Sequence, residues 1–185
     1  MAKYIAFLRA INVGGHNKVK MDDLRNLFES LQLSNVETFI NSGNVLFDSK
    51  AKDKETLEEK IEKALFNTFG FEIKTFIRTA DELSDIAGYV PFNYNEADTE
   101  SAHLVIGFLS EVPPPDSENK LQPFRTETDD FRVYGKEVYW LCRTGFSDSK
   151  FSAAKLEKVF GMQATFRNSS TILKLIQKTV PPGSR

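Results

Sequence analysis

The apolar and polar residues in the first half of the chain follow patterns typical of alternating strands and helices. An apolar run from Tyr4 to Leu8 predicts a buried strand, and apolar residues recurring once per helical turn between Met21 and Leu31 predict an amphipathic helix. Further segments complete this half, with strand patterns at 36–40, 45–47 and 71–78 and a helical pattern from about 53 to 69. This order of elements, β-α-β-β-α-β, is that of a ferredoxin-like unit.

The second half repeats this order with weaker signals. Strand patterns recur in four segments, 102–109, 131–134, 138–143 and 163–167. Gly135-Lys136 is typical of a two-residue hairpin turn, and helical patterns cover 119–124 and the segment before Gly161. Short helices at 81–87 and 171–178 follow the two halves. We therefore predict an α+β fold of two tandem ferredoxin-like (βαββαβ) units, each followed by a helix.

The predicted boundary between the halves lies in a segment rich in turn-forming residues. Pro91 and several Asn and Asp residues interrupt the apolar pattern between 89 and 99. A partial repeat supports duplication, because Arg78 and Arg167 follow similar Thr-Phe segments and precede apolar residues at the same offsets. The predicted domain ranges are 1–88 for the first unit with its helix, 89–180 for the second, and 181–185 for a tail.

The charge of the chain is unevenly distributed, although the net charge is only -2. Residues 1–21 carry four Lys or Arg residues and no acid, and residues 158–185 carry five and no acid. A local basic face is compatible with this pattern, whereas the net negative charge argues against a strongly basic nucleic-acid-binding protein. Cys142 is the only cysteine, which excludes an intrachain disulfide and a cysteine-based zinc site. We predict no metal site and no cofactor.

Several classes of function find no support in the sequence. No apolar stretch is long enough to span a membrane and no leader peptide is recognisable, so we expect a cytoplasmic protein without membrane association. His16 and His103 are the only histidines, and no Ser-His-Asp set or paired-carboxylate spacing is apparent. The catalytic residues, if there are any, are unknown, and the pattern favours a protein that is not an enzyme.

Three motifs resemble those of a known protein family. They are Leu8–Gly15 (LRAINVGG), Ser42–Asn44 and Thr165–Thr171 (TFRNSST). The chain resembles a widespread bacterial family known only as domain of unknown function 1697. Its members typically open with Leu-Arg-x-Ile-Asn-Val-Gly-Gly and close with Thr-x-Arg-Asn-x-x-Thr. Ala10 stands where the family usually has glycine, and Ser169 where it often has tryptophan. The resemblance implies a tandem α+β fold and implies no established activity.

A first candidate site combines the glycine-containing loop after the first strand with the turn between the second and third strands. In the usual ferredoxin-like strand order, both lie at the same edge of the sheet. Successive backbone amides in a glycine loop form an anion-binding concavity. The alternative is structural, with glycines supplying unusual backbone angles and asparagines capping turns. The predicted ligand-binding residues here are Arg9, Asn12, Gly14, Gly15, Asn17, Lys18, Asn41, Ser42 and Asn44.

A second candidate site lies at the other end of the chain. The same topology places Lys150, at the predicted start of a helix, near Arg167 and Asn168 at the end of the last strand. An arginine beside a helix N-terminus is suited to holding an anion. The alternative is helix capping, by Asn168 or Ser169 for the closing helix and by Ser147, Asp148 or Ser149 for the one before it.

These observations lead to one leading hypothesis and several alternatives. The leading hypothesis is non-catalytic binding of an anionic ligand, which is a nucleotide, a phosphate or a nucleic-acid backbone, at the loop from Arg9 to Lys18. One alternative is a small-molecule enzyme with its site between the two units, and another is a scaffold protein that forms homo-oligomers. A third is RNA recognition on an open sheet face, which the apolar strand Tyr139-Trp140-Leu141 disfavours because such a face is normally covered.

Overall fold

The computed structural model describes residues 1–93, 103–144 and 149–179. Within these ranges the chain forms two four-stranded antiparallel sheets and six α-helices, which confirms a mixed α+β architecture. The elements are β1 (Ala2–Leu8), α1 (Met21–Ser30), β2 (Ser34–Phe39), β3 (Asn44–Ser49), α2 (Lys54–Phe69), β4 (Thr75–Thr79), α3 (Ala80–Gly88), β5 (His103–Leu109), α4 (Ser117–Lys120), β6 (Asp129–Tyr134), β7 (Glu137–Cys142), α5 (Ala153–Phe160), β8 (Ala164–Asn168) and α6 (Ser169–Thr179), with a short 3-10 turn at Gln122–Phe124.

The chain divides into two compact units. Unit 1 comprises Met1–Ser84 and the residues from Leu175 onward, and unit 2 comprises Asp85–Lys174. Each unit contains one of the two sheets. The domain ranges expected from the sequence, 1–88 and 89–180, stay a prediction, and the expected tail at 181–185 lies outside the described residues.

In unit 1 the strands lie in the order β2-β3-β1-β4, and a continuous apolar core covers one face of the sheet. Alternate residues of β1 contribute to this core, as do the apolar stripes of α1 and α2. Phe28 of α1 meets Phe47 of β3 edge-on, with ring centroids 5.5 Å apart. Burial of these side chains orients α1 and α2 along the sheet and leaves the loops at its ends exposed.

In unit 2 the strands lie in the equivalent order β6-β7-β5-β8, with an aromatic core on one face. Trp140 packs edge-on against Phe151 at 5.2 Å, and Phe151 also lies 4.4 Å from Phe131. The indole N–H of Trp140 donates a 2.7 Å hydrogen bond to the buried carboxylate of Asp129. Cys142 is buried in the same cluster and therefore behaves as a small core residue.

Several element boundaries differ from those expected from the sequence, and the helix expected at 119–124 is instead α4 followed by the 3-10 turn Gln122–Phe124. The prediction that α5 begins at Lys150 is wrong, because the helix begins at Ala153, where the Ser152 hydroxyl accepts a 3.3 Å hydrogen bond from the Lys155 amide. Strand β4 begins at Thr75 rather than near residue 71. Its partner β1 ends at Leu8, which lies opposite Thr75, so the preceding residues have no strand to pair with.

The outer edge of β4 is closed by carboxylates. Three successive outward-facing amides donate to glutamate side chains: Thr75 to Glu62 at 2.9 Å, Ile77 to Glu58 at 2.6 Å and Thr79 to Glu82 at 2.8 Å. An edge strand with free amides is a template for pairing with another chain. These three glutamates therefore remove β4 as a surface for strand addition.

Substitutions at Glu58 test this closure. Glu58→Ala leaves the Ile77 amide without its acceptor and is expected to lower the free energy of unfolding by about 1–3 kcal/mol. Glu58→Gln retains an acceptor oxygen and removes a partly buried charge. We therefore expect the glutamine variant to be at least as stable as the natural protein at neutral pH.

The pH dependence of the stabilities of the natural protein and of Glu58→Gln supplies the control. Burial raises the pKa of Glu58 above its ordinary value of 4.5, although the Ile77 amide opposes the shift. The protonated carboxyl of Glu58 therefore makes its full contribution to stability below pH 4.5. That contribution is lost as the pH rises through the pKa of Glu58 in the folded protein. Urea unfolding across this range should show the advantage of the glutamine variant only at the higher pH. An equal advantage under acidic conditions would mean that burial of the charge is not its cause.

Candidate functional site

The loop after β1 is a small hairpin. Val13 and His16 form an antiparallel bridge, in which the His16 amide donates to the Val13 carbonyl at 3.0 Å. The Asn12 amide continues this ladder with a 3.1 Å hydrogen bond to the carbonyl of Asn17. Gly14 and Gly15, with φ of 58° and 80°, occupy the two central turn positions, where a type I′ turn requires positive φ. The glycine pair is therefore explained by the hairpin turn itself.

Asn12 attaches this hairpin to the turn between β2 and β3. Its side-chain amide donates to the carbonyls of Val19 at 2.9 Å and Asn41 at 3.0 Å, and its carbonyl oxygen accepts from the Val19 amide at 2.8 Å. The structure thus brings the loop and the turn together at one end of the sheet. The Asn12 side chain is committed to backbone groups, so its position is that of a structural clamp.

The other polar residues of the β2–β3 turn are also engaged in internal contacts. Asn44 is fully buried, and its amide donates to the Phe39 carbonyl at 2.9 Å and to the Ser42 hydroxyl at 3.0 Å. In the hairpin, the Asn17 amide donates to the Ala10 carbonyl at 3.2 Å. A structural role therefore explains the hydrogen bonds that the side chains of Asn44 and Asn17 make.

Backbone strain is concentrated at the same place, residues 9–20 and 39–44, which we call the hairpin end. Four non-glycine residues here have positive φ: Ala10 at 55°, Asn12 at 55°, Asn17 at 50° and Ile40 at 51°. This conformation is uncommon for any non-glycine residue, and for β-branched isoleucine it is a clear outlier. It also gives a physical reason for glycine at the position of Ala10 in the pattern that the sequence resembles. Each such residue costs on the order of 1–3 kcal/mol and persists only where surrounding contacts enforce it.

The exposed surface of the hairpin end is cationic. Residues 9–20 and 39–44 contain no Asp or Glu, and Lys18 and Lys20 are exposed. Arg9 is half-buried, with its amide bonded to the Lys74 carbonyl at 2.9 Å. In the part of the chain that the structure describes, Gly14 and Gly15 are exposed residues whose amides donate no hydrogen bond. The tip of the hairpin, residues 13–18, therefore presents N–H donors close in sequence to Lys18 and Lys20.

Acidic residues begin just beyond this surface, in the first turn of α1. Asp22 and Asp23 are both exposed there, where the helix dipole favours negative charge. Asp22 is paired with Arg25 at 3.4 Å, so its charge is partly balanced on its own helix. The positive character of the hairpin end is consequently local.

The second predicted set lies in unit 2, and its arginine points inward. Arg167 is buried and donates to the Thr165 hydroxyl at 2.9 Å and the Phe166 carbonyl at 2.7 Å. Burial lowers the pKa of Arg167 to about 10, so it remains protonated at neutral pH. Asn168 and Lys150 are exposed. The carbonyl of Lys150 accepts a hydrogen bond from the ammonium group of Lys155. The capping candidates at 147 and 148 lie outside the described residues.

Arg167 has a counterpart in unit 1 that the sequence prediction did not include among the ligand-binding residues. Arg78 is buried in β4, lies opposite Ile5 of β1 and donates to the Ile77 carbonyl at 2.9 Å. Arg167 lies opposite Ile106 of β5 in the same way. The repeated Thr-Phe segment before each arginine is the sequence signal that marks these two positions.

Neither a metal cluster nor a membrane-spanning helix is found within 1–93, 103–144 and 149–179. No group of three or more His, Cys, Asp or Glu side chains in these ranges is arranged to hold a metal ion. None of the helices in these ranges combines the length and apolar character that crossing a bilayer requires.

Comparison with known proteins identifies a protein family and a similar solved structure. A family model described as "Protein of unknown function (DUF1697)" matches residues 1–139. The chain is also similar to the solved structure of a conserved bacterial protein from Streptococcus pneumoniae, with 26% sequence identity and a TM-score of 0.69. The alignment covers 95% of this chain and 97% of that one. No curated protein matches the chain. These descriptions name neither a ligand nor a reaction.

Proposed function

This chain belongs to the DUF1697 family of proteins of unknown function, and from that premise we propose that its hairpin end binds a phosphate-bearing ligand. The observation that carries the proposal is the exposed, acid-free tip, where Gly14 and Gly15 present amide donors beside Lys18. Phosphate oxygens accept hydrogen bonds from backbone amides and from ammonium groups, and charge-assisted bonds of this kind are the stronger ones. No carboxylate within 9–20 or 39–44 competes for these donors.

Backbone strain gives independent support. The hairpin has unfavourable φ at Ala10 and Asn12, and the turn to which it is tied has unfavourable φ at Ile40. These conformations cost folding free energy. The exposed residues from Val13 to Lys18 contribute no buried apolar side chain in return. Strain of this kind is commonly retained at ligand-binding and other functional sites.

The exposure of the tip favours a polymer backbone over a free nucleotide. Small-molecule sites are concave and bury most of their ligand, whereas every residue from Val13 to Lys18 is exposed. A protruding basic hairpin is suited to contacting one or two phosphates of a strand at a time. We therefore propose single-stranded nucleic acid as the ligand class to test first.

We also propose that both units are ferredoxin-like and arranged in tandem. Support comes from the equivalent strand orders, β2-β3-β1-β4 and β6-β7-β5-β8, and from the matching registers of Arg78 and Arg167. In that arrangement residues 9–20 of the hairpin end are the crossover from the first strand to the first helix. The proposed domain ranges remain those of the sequence prediction.

A double substitution tests the binding proposal. Lys18→Gln with Lys20→Gln is expected to weaken binding of a fluorescein-labelled single-stranded RNA about tenfold or more at low salt, because two phosphate contacts are lost. The slope of log K against log salt should fall by about 1.4, which is roughly 0.7 for each contact. Fluorescence anisotropy over a salt series measures both quantities.

Lys63→Gln with Lys158→Gln is the matched control, since it makes the same change in charge at exposed helical positions. It should retain the affinity and the salt slope of the natural protein. Equal losses in the two double variants, or no RNA binding by the natural protein at low salt, would refute the proposal. If free nucleotides bind instead, and only Lys18→Gln with Lys20→Gln weakens their binding, the hairpin end is still the site and its ligand is a small molecule.

A further inference from the structure

A concave surface lies in unit 1, where the end of α1, the end of β3 and the start of α2 come together. It is an open groove of about 680 Å³. Its floor is apolar, with Leu33 and Leu57 both buried and Ala51 half-buried. Its rim carries three exposed lysines, Lys50 and Lys52 from the segment after β3 and Lys60 from α2. No sequence motif marks this groove, because its lining is assembled from short pieces of three elements.

Internal contacts hold the walls of the groove in place. The Tyr4 hydroxyl donates a 2.6 Å hydrogen bond to the Ala51 carbonyl, which fixes the chain after β3 against β1. Across the groove, the Lys60 ammonium donates to the Leu31 carbonyl at 2.9 Å and thereby links α2 to the end of α1. An ammonium group has three donors, so two of those on Lys60 remain for other partners.

The single acid in the lining is already engaged. Asp53 caps α2, with its carboxylate accepting from the Glu55 amide at 3.0 Å and from the Thr56 hydroxyl. The Thr56 hydrogen bond is the main cause that lowers the pKa of Asp53. Within the part of the chain that the structure describes, Lys50 and Lys52 have no ion-pair partner. The three lysines outnumber the one carboxylate of the lining, so the rim is net positive above an apolar floor.

We propose that this groove binds an amphipathic organic anion, namely a phosphate monoester or carboxylate on an apolar body. The apolar body would cover Leu33 and Leu57, and the anionic head would accept hydrogen bonds from Lys50 and Lys52. The volume falls within the range of about 300–1,000 Å³ that is usual for small-molecule sites. Charge complementarity identifies the occupant as an anion, and the floor requires that part of it be apolar.

This site is separate from the proposed function. The hairpin end offers amides and lysines on a protruding turn and needs only a phosphate. The groove needs both a charge and an apolar surface, and it shares no residue with residues 9–20 or 39–44. The two proposals therefore make different demands on a ligand and fail independently.

The probe is 1-naphthyl phosphate, compared with 1-naphthol and inorganic phosphate, using isothermal titration calorimetry and NMR chemical-shift mapping. We expect saturable binding of the phosphate ester and much weaker binding of either half alone, because each half lacks one of the two interactions. Shift changes should map to Leu33, Ala51 and Leu57. Binding of 1-naphthol as tight as that of the ester would overturn the proposal, since the lysines would then play no part.

Two kinds of variant keep the test decisive. Lys50→Gln with Lys52→Gln should weaken the phosphate ester about tenfold or more, whereas Lys63→Gln with Lys158→Gln, the matched control, should not. Thr56→Trp places a ring over the groove from an exposed position on α2 and should block the ester without any change of charge. Far-UV circular dichroism and melting curves establish that each variant is folded.

The hairpin variants complete the design. Lys18→Gln with Lys20→Gln should leave binding of the ester unchanged, and the groove variants should leave binding of RNA unchanged. Four outcomes would each overturn the groove proposal. Two are loss of ester binding in Lys18→Gln with Lys20→Gln and an equal loss in the control variant. The others are ester binding retained by Thr56→Trp and no saturable binding at millimolar probe. None of these outcomes bears on whether the hairpin end binds RNA.

Discussion

Gly43→Ala is expected to lower the free energy of unfolding by about 3 kcal/mol or more, the largest effect anticipated for a single added methyl group. A β-carbon at this position would lie 2.8 Å and 2.9 Å from the side chain of Ile11 and 2.9 Å from Cβ of Leu8. Ile11 and Leu8 are both buried, so they cannot move aside cheaply. Gly43 also has φ of 76°, a conformation that alanine adopts only with strain.

Gly15→Ala is the matched control for this substitution. Gly15 has a similar φ of 80°, but a β-carbon there meets no atom within 4 Å. It should cost only the backbone term, about 1–2 kcal/mol, so the difference between the two variants measures the steric term. Urea unfolding followed by circular dichroism gives both values. Hydrogen exchange of the Leu8 amide, which donates to the Gly43 carbonyl at 2.8 Å, reports the local effect. Equal costs for the two variants would show that Ile11 and Leu8 do not constrain Gly43.

Asn12→Ala is expected to lower the free energy of unfolding by about 3 kcal/mol, because the variant loses three hydrogen bonds that join the hairpin to Val19 and Asn41. The loss should also weaken RNA binding under conditions where the protein is still folded. The hairpin would no longer be fixed to the β2–β3 turn, and a ligand would have to order it.

Asn17→Ala provides the comparison. Asn17 has φ of 50° against 55° for Asn12, so the backbone penalty for alanine is nearly the same in both and cancels in the difference. Its side chain makes one hydrogen bond in the structure, to the Ala10 carbonyl, and a cost of about 1–2 kcal/mol is expected. Thermal unfolding with hydrogen exchange at the Val19 amide separates the two variants. If both lose the same stability, the clamp assigned to Asn12 does not exist.

Local patterns in the sequence determined most of the secondary structure. The stripe from Met21 to Leu31 predicted α1, and its Leu24, Leu27 and Phe28 are buried as the helical period requires. Gly135-Lys136 predicted a two-residue turn, and Tyr134 does pair with Glu137 across it. Such features follow from residues that are neighbours along the chain, which is why a linear pattern is sufficient to predict them.

What only the tertiary structure decided concerns partners that are distant in sequence. Asn12 reaches a carbonyl 29 positions away, and Arg167, predicted to face a ligand, is buried against its own strand. The lysine-rimmed groove draws its residues from the ends of α1, β3 and α2, none of which carries a motif. The physical reason is that strand register and helix packing choose these neighbours through the whole apolar core, whereas the polarity of a single residue is compatible with many positions.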